Sequence, residues 1–291
     1  MLAFEEKKKS PATIKVVGVG GGGMNAIERM VSMNLEGVEL IAMNTDEQVL
    51  ERSHAPTKVA LGAKLTRGMG AGGIPDVGAQ AAMEDREKIM NVLKGADMVF
   101  ITAGMGGGTG TGAAPIVAEV ARELKALTVG VVTLPFIVEG DKRKSYAKQG
   151  QNNLRDRVDT LITIPNEAIF KVIDKKTSVA AAYKLIDDML YRAVRGISNI
   201  INSTGFVNVD FADVRTVMGQ NGDAVIGLGE GTGESRVAEA RKTVLRQLLA
   251  WERDLAAADD AVAGEAHRGL FDDRIYVFTP GGEIIDLPTG A

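Results

Sequence analysis

The chain has 291 residues, of which 45% are hydrophobic, 25% charged and only 4% aromatic. That suits one large domain or two ordinary ones with a full core, and it excludes a mostly disordered chain. Lys and Arg total 34 against 38 Asp and Glu, a formal net charge of −4, so no global basic field points to nucleic acid.

No apolar run approaches the roughly 18 residues of a membrane span, and the apolar start Met1-Leu2-Ala3-Phe4 is too short and wrongly ordered for a secretory signal. Cysteine is absent, which removes disulfides, thiolate metal sites and cysteine nucleophiles and is compatible with the cytoplasm. With only His54 and His267, no protein-held metal site is expected. Glycine is the outlier: 35 of 291 residues, about 12% against a usual level of about 7%. The glycines cluster, and the clusters mark the chemistry.

Residues 1–12 read as a flexible N-terminus. Ile14 to Val19 is an apolar strand running into Gly20-Gly21-Gly22-Gly23, then a helix from Asn25 to about Met33. Val38 to Met43 reads as a strand, followed by a glycine-rich loop (Gly62, Gly68, Gly70, Gly72, Gly73) ending at Pro75. The spacing predicts a helix over Asp76 to Lys94 and a buried strand over Asp97 to Ala103. A second glycine loop spans Gly104 to Gly112, and a helix is expected from Pro115 to Ala126.

Thr128 to Leu134 is a strand, Ser145 to Val158 a helix and Thr160 to Ile164 a strand. Strand and helix in alternation imply right-handed crossovers and a mostly parallel sheet covered on both faces. A 3.6-residue period then runs from Ser178 to Ile201 for about six turns, the mark of a long central helix between layers. A helix over Phe211 to Met218, a strand over Ala224 to Leu228, a helix over Glu234 to Ala258 and a hairpin with strands Arg274 to Phe278 and Glu283 to Leu287 complete the chain.

Gly18-Val19-Gly20-Gly21-Gly22-Gly23 fits the G-x-G-x-x-G pattern between a strand and a helix, where bare backbone N–H groups cradle phosphate. A dinucleotide site is one reading, with Glu39 or Asp46 as loose candidates for the ribose acid. A tight strand-to-helix turn without ligand is another. The second loop, Gly104-Met105-Gly106-Gly107-Gly108-Thr109-Gly110-Thr111-Gly112, is more specific; two such loops on neighbouring strands can converge on one polyphosphate. The lysine-bearing P-loop is missing.

Gly106 to Gly112 resembles the signature loop of the tubulin and FtsZ family of GTPases. So do Gly20 to Asn25, Asn44-Thr45-Asp46, Pro135 to Gly140, Ile164-Pro165-Asn166 and Asn208 to Val214, in the family's order, over about residues 13–240. The resemblance implies an α/β, tubulin-like GTPase domain with a mostly parallel sheet, a long central helix and an incomplete or altered C-terminal domain. Its implied divisions are a GTP-binding domain (13–176), the central helix (177–203), a synergy loop and start of a second domain (204–240), and a non-family helix and hairpin (241–291).

The same resemblance implies site roles. Gly21, Gly22, Gly23, Met24 and Asn25 would line the nucleotide together with Asn44. Gly108, Thr109 and Gly110 would hold phosphates, and Ala71 and Gly72 would sense the γ-phosphate. Glu139 and Arg143 would contact ribose and phosphate, and Asn166 would lie near the sugar. Tyr183 would stack on guanine, and Asp187 would accept its N–H donors. The residues support this in part: Tyr183 and Asp187 are four apart on one helix face, and a carboxylate can accept two guanine N–H bonds.

Asn208, Asp210 and Asp213 would form the catalytic synergy loop, which polarises water in the next subunit's site. From the residues alone, Asp210 is equally a helix N-cap. The implied ligands are GTP or GDP, with Mg²⁺ carried by the phosphates. The implied partners are copies of the chain stacked head to tail at a cytoplasmic, mid-cell division site, and other division proteins. The family's C-terminal partner peptide is not visible in the sequence, and neither nucleic acid nor membrane insertion is expected.

From about Val244 the sequence instead resembles RelA/SpoT-type stringent-response enzymes, through Leu245 to Glu252 and Asp273 to Pro288. These fit the end of a synthetase region and the start of a TGS module. Two other functional readings stay open beside the GTPase. One is an assembly-defective nucleotide-binding fusion with little turnover; the other is an NAD-linked oxidoreductase.

Overall fold

The computed structural model describes residues 12–171, 173, 177–202, 210–219 and 222–224, and the backbone of 274–278 and 284–288. Its elements in chain order are β1 (Ile14–Val19), α1 (Gly20–Ser32), β2 (Glu39–Asn44), α2 (Glu47–Glu51), β3 (Thr57–Ala60), α3 (Ala63–Thr66), α4 (Pro75–Glu84), α5 (Arg86–Leu93) and β4 (Met98–Gly104). After these come α6 (Thr109–Glu123), β5 (Leu127–Leu134), α7 (Asp141–Arg155), β6 (Thr160–Pro165), α8 (Val179–Asn202), α9 (Phe211–Met218), β7 (Gly222–Ala224) and the strands β8 (Arg274–Phe278) and β9 (Ile284–Pro288). The helix expected over 234–258 and the strand continuation over 225–228 lie outside the described residues.

The main sheet is parallel, in the order β3-β2-β1-β4-β5-β6-β7. Alternation along each strand sends side chains to two cores. Val17, Val19, Ile41, Met43, Val99 and Ile101 pack with α4, α5 and α6 on one face. Ile14, Val16, Leu40, Phe100, Val129 and Ile162 pack with α1 and α8 on the other. Burial on both faces is why these strands read as continuous apolar runs. Each such Val, Ile or Leu contributes about 1.5–3 kcal/mol relative to exposure.

In this order the sheet grows one way from β1 to β2 and β3, and the other way from β4 onward. The reversal between β1 and β4 leaves a crevice at their C-terminal ends, where open α/β sheets take ligands.

Several boundaries differ from the sequence expectation. The first glycine run is not a loop before α1 but its first turn, entered through Gly20 at φ +70°. Likewise α6 starts at Thr109 and holds Pro115 within it, because its first turns are fixed by packing on α4, where a Cβ on Gly112 would lie 1.9 Å from Pro75 O. The helix expected over Asp76 to Lys94 is two helices. The buried Asp85 turns its carboxylate to accept from Gly62 N (2.7 Å), and the chain breaks there. The charged run from Asp141 is the first turn of α7.

Helix α8 runs over 24 residues, about 36 Å at the usual rise. Ala182, Ile186, Leu190, Val194 and Ile197 are buried on one face. Beyond it, α9 lies under the N-terminal edge of the sheet. Arg215 donates to Asp97 O and Lys125 O, just before β4 and β5, and Met218 O accepts from Thr160 Oγ1 at the start of β6. Strands β8 and β9 pair antiparallel as a separate hairpin.

Candidate nucleotide site

Both glycine loops leave the sheet at the crevice between β1 and β4 and touch through backbone. A Cβ on Gly20 would meet Gly110 N at 2.7 Å, and one on Gly22 would meet Gly104 Cα at 3.1 Å. The loop before α4 closes on the second of them: a Cβ on Gly108 would lie 2.8 Å from Ile74 N and 2.9 Å from the Ala71 Cβ. Only glycine permits such approaches. By contrast, Gly21, Gly72 and Gly107 have nothing within 4 Å of a would-be Cβ, so main chain is left open on all three segments at this crevice. The N-termini of α1 and α6 bring free N–H groups and positive dipole ends to it, the usual environment of a bound phosphate.

The threonines brace this cradle. Thr45 and Thr109 share a 2.6 Å hydroxyl bond, and Gly106 N donates to Thr111 Oγ1 at 2.9 Å. Asn44 is buried. Its amide donates to Met24 Sδ (3.2 Å) and its carbonyl oxygen accepts from Thr45 N (2.9 Å), so it ties the end of β2 to α1.

A second group stands beside the cradle. Glu139 accepts from Phe136 N (2.8 Å) and pairs with Arg143 at 2.6 Å. Tyr183 sits over this pair, 39% exposed, edge-on to Phe136 with ring centroids 5.4 Å apart. Partial burial and the Glu139 carboxylate raise its phenol pKa. Asn166, at the C-terminal end of β6, is buried, and its Oδ1 has no hydrogen-bond partner among the described residues. An orphaned acceptor of this kind asks for a ligand or water.

One turn along α8 from Tyr183 lies Asp187, half-buried. Burial and the neighbouring Asp188 push its carboxyl up to about 7, while Arg29 on α1 pulls the other way. Arg29 Nε bonds Asp188 Oδ1 at 2.6 Å.

The structure thus brings Gly21, Gly22, Ala71, Gly72 and Gly108–Gly110 to one opening, with Asn25 exposed on α1, while Gly23, Met24 and Asn44 are buried behind it. Glu139, Arg143, Asn166 and Tyr183 stand by the adjoining ends of β5, β6 and α8, with Asp187 one turn further along α8. Asp210 and Asp213 are not among them. They begin α9 at the opposite edge of the sheet, and Asp213 is exposed. Asn208 lies outside the described residues. Among the described residues no three His, Cys, Asp or Glu side chains are grouped to hold a metal. Sequence reasoning gave no role to Thr45, Phe136, Arg29 and Asp188, whose parts depend on contacts between elements; Thr45 and Phe136 lay within quoted family-like segments, and the signal for Arg29 was its four-residue spacing from Asn25 and Gly21 on α1.

Residues 13–174 match the model of the Tubulin/FtsZ family, GTPase domain. The chain belongs to the Tubulin/FtsZ family. It carries that family's GTPase domain, which removes the oxidoreductase reading. An empty FtsZ dimer from M. jannaschii is 46% identical, with a TM-score of 0.78 over 82% of this chain and 69% of that one. A W319Y variant of M. jannaschii FtsZ is 47% identical, with a TM-score of 0.77 over 81% and 71%. CetZ2 of Haloferax volcanii, in a GTPγS-bound protofilament, has a TM-score of 0.65 at 22% identity over 76% and 67%, a likeness of fold. No helix among the described residues is long and apolar enough to cross a membrane.

Proposed function

We propose that this GTPase binds GTP in the cradle between β1 and β4 and hydrolyses it only when a second copy stacks on it, in filaments that serve cell division in the cytoplasm. The separation of the glycine loops from Asp210 and Asp213, at opposite edges of one sheet, carries this reading. Phosphoryl transfer needs chiefly an oriented water and neutralised charge. The loops supply the neutralisation through main-chain N–H groups. The acids before and within α9, with Asn208, would orient the water in the site of the neighbouring copy. A contact of that type is head to tail and propagates as a filament. The FtsZ dimer of M. jannaschii, at 46% identity, supports self-association.

Tyr183 would stack on the base, Asp187 would accept the two guanine N–H bonds, and Asn166 Oδ1 would accept from the ribose. Arg143, held by Glu139, would reach the phosphates. The open cradle at Gly21, Gly72 and Gly107 leaves room for a Mg²⁺ held mostly by phosphate oxygens, where it would neutralise charge. The division into a nucleotide-binding body over 13–176, a connecting helix over 177–203 and a synergy segment over 204–240 belongs to the same proposal.

Asp213→Ala is the test. The substitution should cut GTP turnover at least a hundredfold and leave GTP affinity within about twofold. Unchanged turnover would remove the acids from the mechanism.

A further inference from the structure

We propose that Arg29 and Asp188 are a positioning pair for base recognition, in which the guanidinium, fixed on Asp188 from the neighbouring helix, sets the charge that Asp187 offers to the ligand. The inference rests on the reading of Asp187 as the guanine acceptor.

Gly21, Asn25 and Arg29 recur every four residues along α1, so the stripe that begins at the phosphate cradle ends at Arg29. Helices α1 and α8 pack together, and Arg29 Nε meets Asp188 Oδ1 at 2.6 Å with side chains 37% and 25% exposed. The pair is therefore partly shielded from solvent, more than a free surface pair. Asp187 is adjacent in sequence, so a second carboxylate and a guanidinium both bear on it.

Few other charges face it. Tyr191, one turn further along α8, lies by Arg29. Strand β5, also packed on α8, has no titratable residue, and Glu167 beside β6 is engaged by Ile137 N (2.6 Å). The two partners act on Asp187 with opposite sign: the Asp188 charge opposes ionisation and Arg29 favours it. Guanine N–H donors require the ionised form. Arg29 thus works against the burial and the Asp188 charge that together push the Asp187 carboxyl up, and so favours the form that can accept both bonds.

This arrangement has a signature that a purely structural ion pair lacks. Arg29→Met removes the donor of this bond and Asp188→Asn weakens it by removing the charge, so loss of a helix–helix clip would weaken binding in the same direction in both. The electrostatic role moves them apart. GTP affinity of the full chain is measured from about pH 5.5 to 8.5. The Asp187→Asn variant reports the titration of the phosphates themselves, which is common to every variant.

The midpoint of the remaining pH dependence should rise by about half a unit in Arg29→Met and fall by about half a unit in Asp188→Asn, with Arg29→Lys near the parent. At pH 6.5, with a parent midpoint near 7, that is a loss of about two- to threefold and a gain of about twofold. Both shifts should shrink in high salt. Shifts of the same sign, or unmoved midpoints in both variants, would overturn the inference while leaving the base-recognition reading intact. If Asp187→Asn itself binds GTP as the parent does, that reading fails instead.

Discussion

Asp187 carries opposed demands. Its place beside Asp188 and away from water makes its charge costly, yet the proposed contact with guanine needs that charge. Because its carboxyl is pushed up to about 7 in the fold and lies near 3.9 in the unfolded chain, the folded state binds more protons between those values, and stability falls as pH rises through that window. Asp187→Asn should therefore be more stable than the parent at pH 8 without nucleotide, by about 1 kcal/mol once partial exposure is allowed for. The difference should close as pH falls toward about 4. Urea melts at both pH values check this; a constant difference would mean that burial does not tax the carboxylate. The family resemblance pointed to Tyr183 and Asp187, and their four-residue spacing on one helix face agreed with it, but Arg29 looked like any helical cation until α1 was laid against α8.

At the scale of elements, the glycines divide by what stands opposite them. A Cβ on Gly23 would lie 2.3 Å from Thr102 O, inside the contact between α1 and β4. Gly23→Ala should cost about 1–3 kcal/mol of stability by forcing those elements apart. Gly21 has nothing within 4 Å, so Gly21→Ala should melt as the parent does and lose at least tenfold in GTP affinity, because its methyl enters the phosphate volume. Calorimetry and nucleotide titration of the two variants separate packing from ligand contact; equal effects on both would contradict the division.

Strands β1, β2, β4, β5 and β6 were legible to within about a residue, since a doubly covered strand is a plain apolar run; β3, with α2 and α3, lay in what read as a glycine-rich loop. The starts of α1 and α6 were not: glycine's weak helix propensity argued for loops there, and tertiary packing overrode it. Asp85 broke a long helix for a similar reason, because its partner Gly62 is distant in sequence.

At the scale of the molecule, the parallel sheet is a spacer. Its strands hold the phosphate loops at one edge and α9 at the other, and α8 spans about the same distance. On the proposed mechanism, a domain built this way brings its two functional edges together only by meeting a copy of itself. The alternation of strand and helix made the parallel sheet readable in advance, but not the strand order or the switch point between β1 and β4, which depend on how the strands pair. What holds α9 at the lower edge was not readable, because Arg215 and Thr160 bond there between elements distant in sequence.

GTP hydrolysis per subunit, followed against protein concentration with Mg²⁺ present, bears most directly on this geometry. The rate per subunit should stay near zero below a threshold and climb steeply above it, because each site lacks its acids until a neighbour arrives. A rate per subunit that is the same at every concentration would mean that one copy completes the site, and the division of labour between the two edges of the sheet would be wrong.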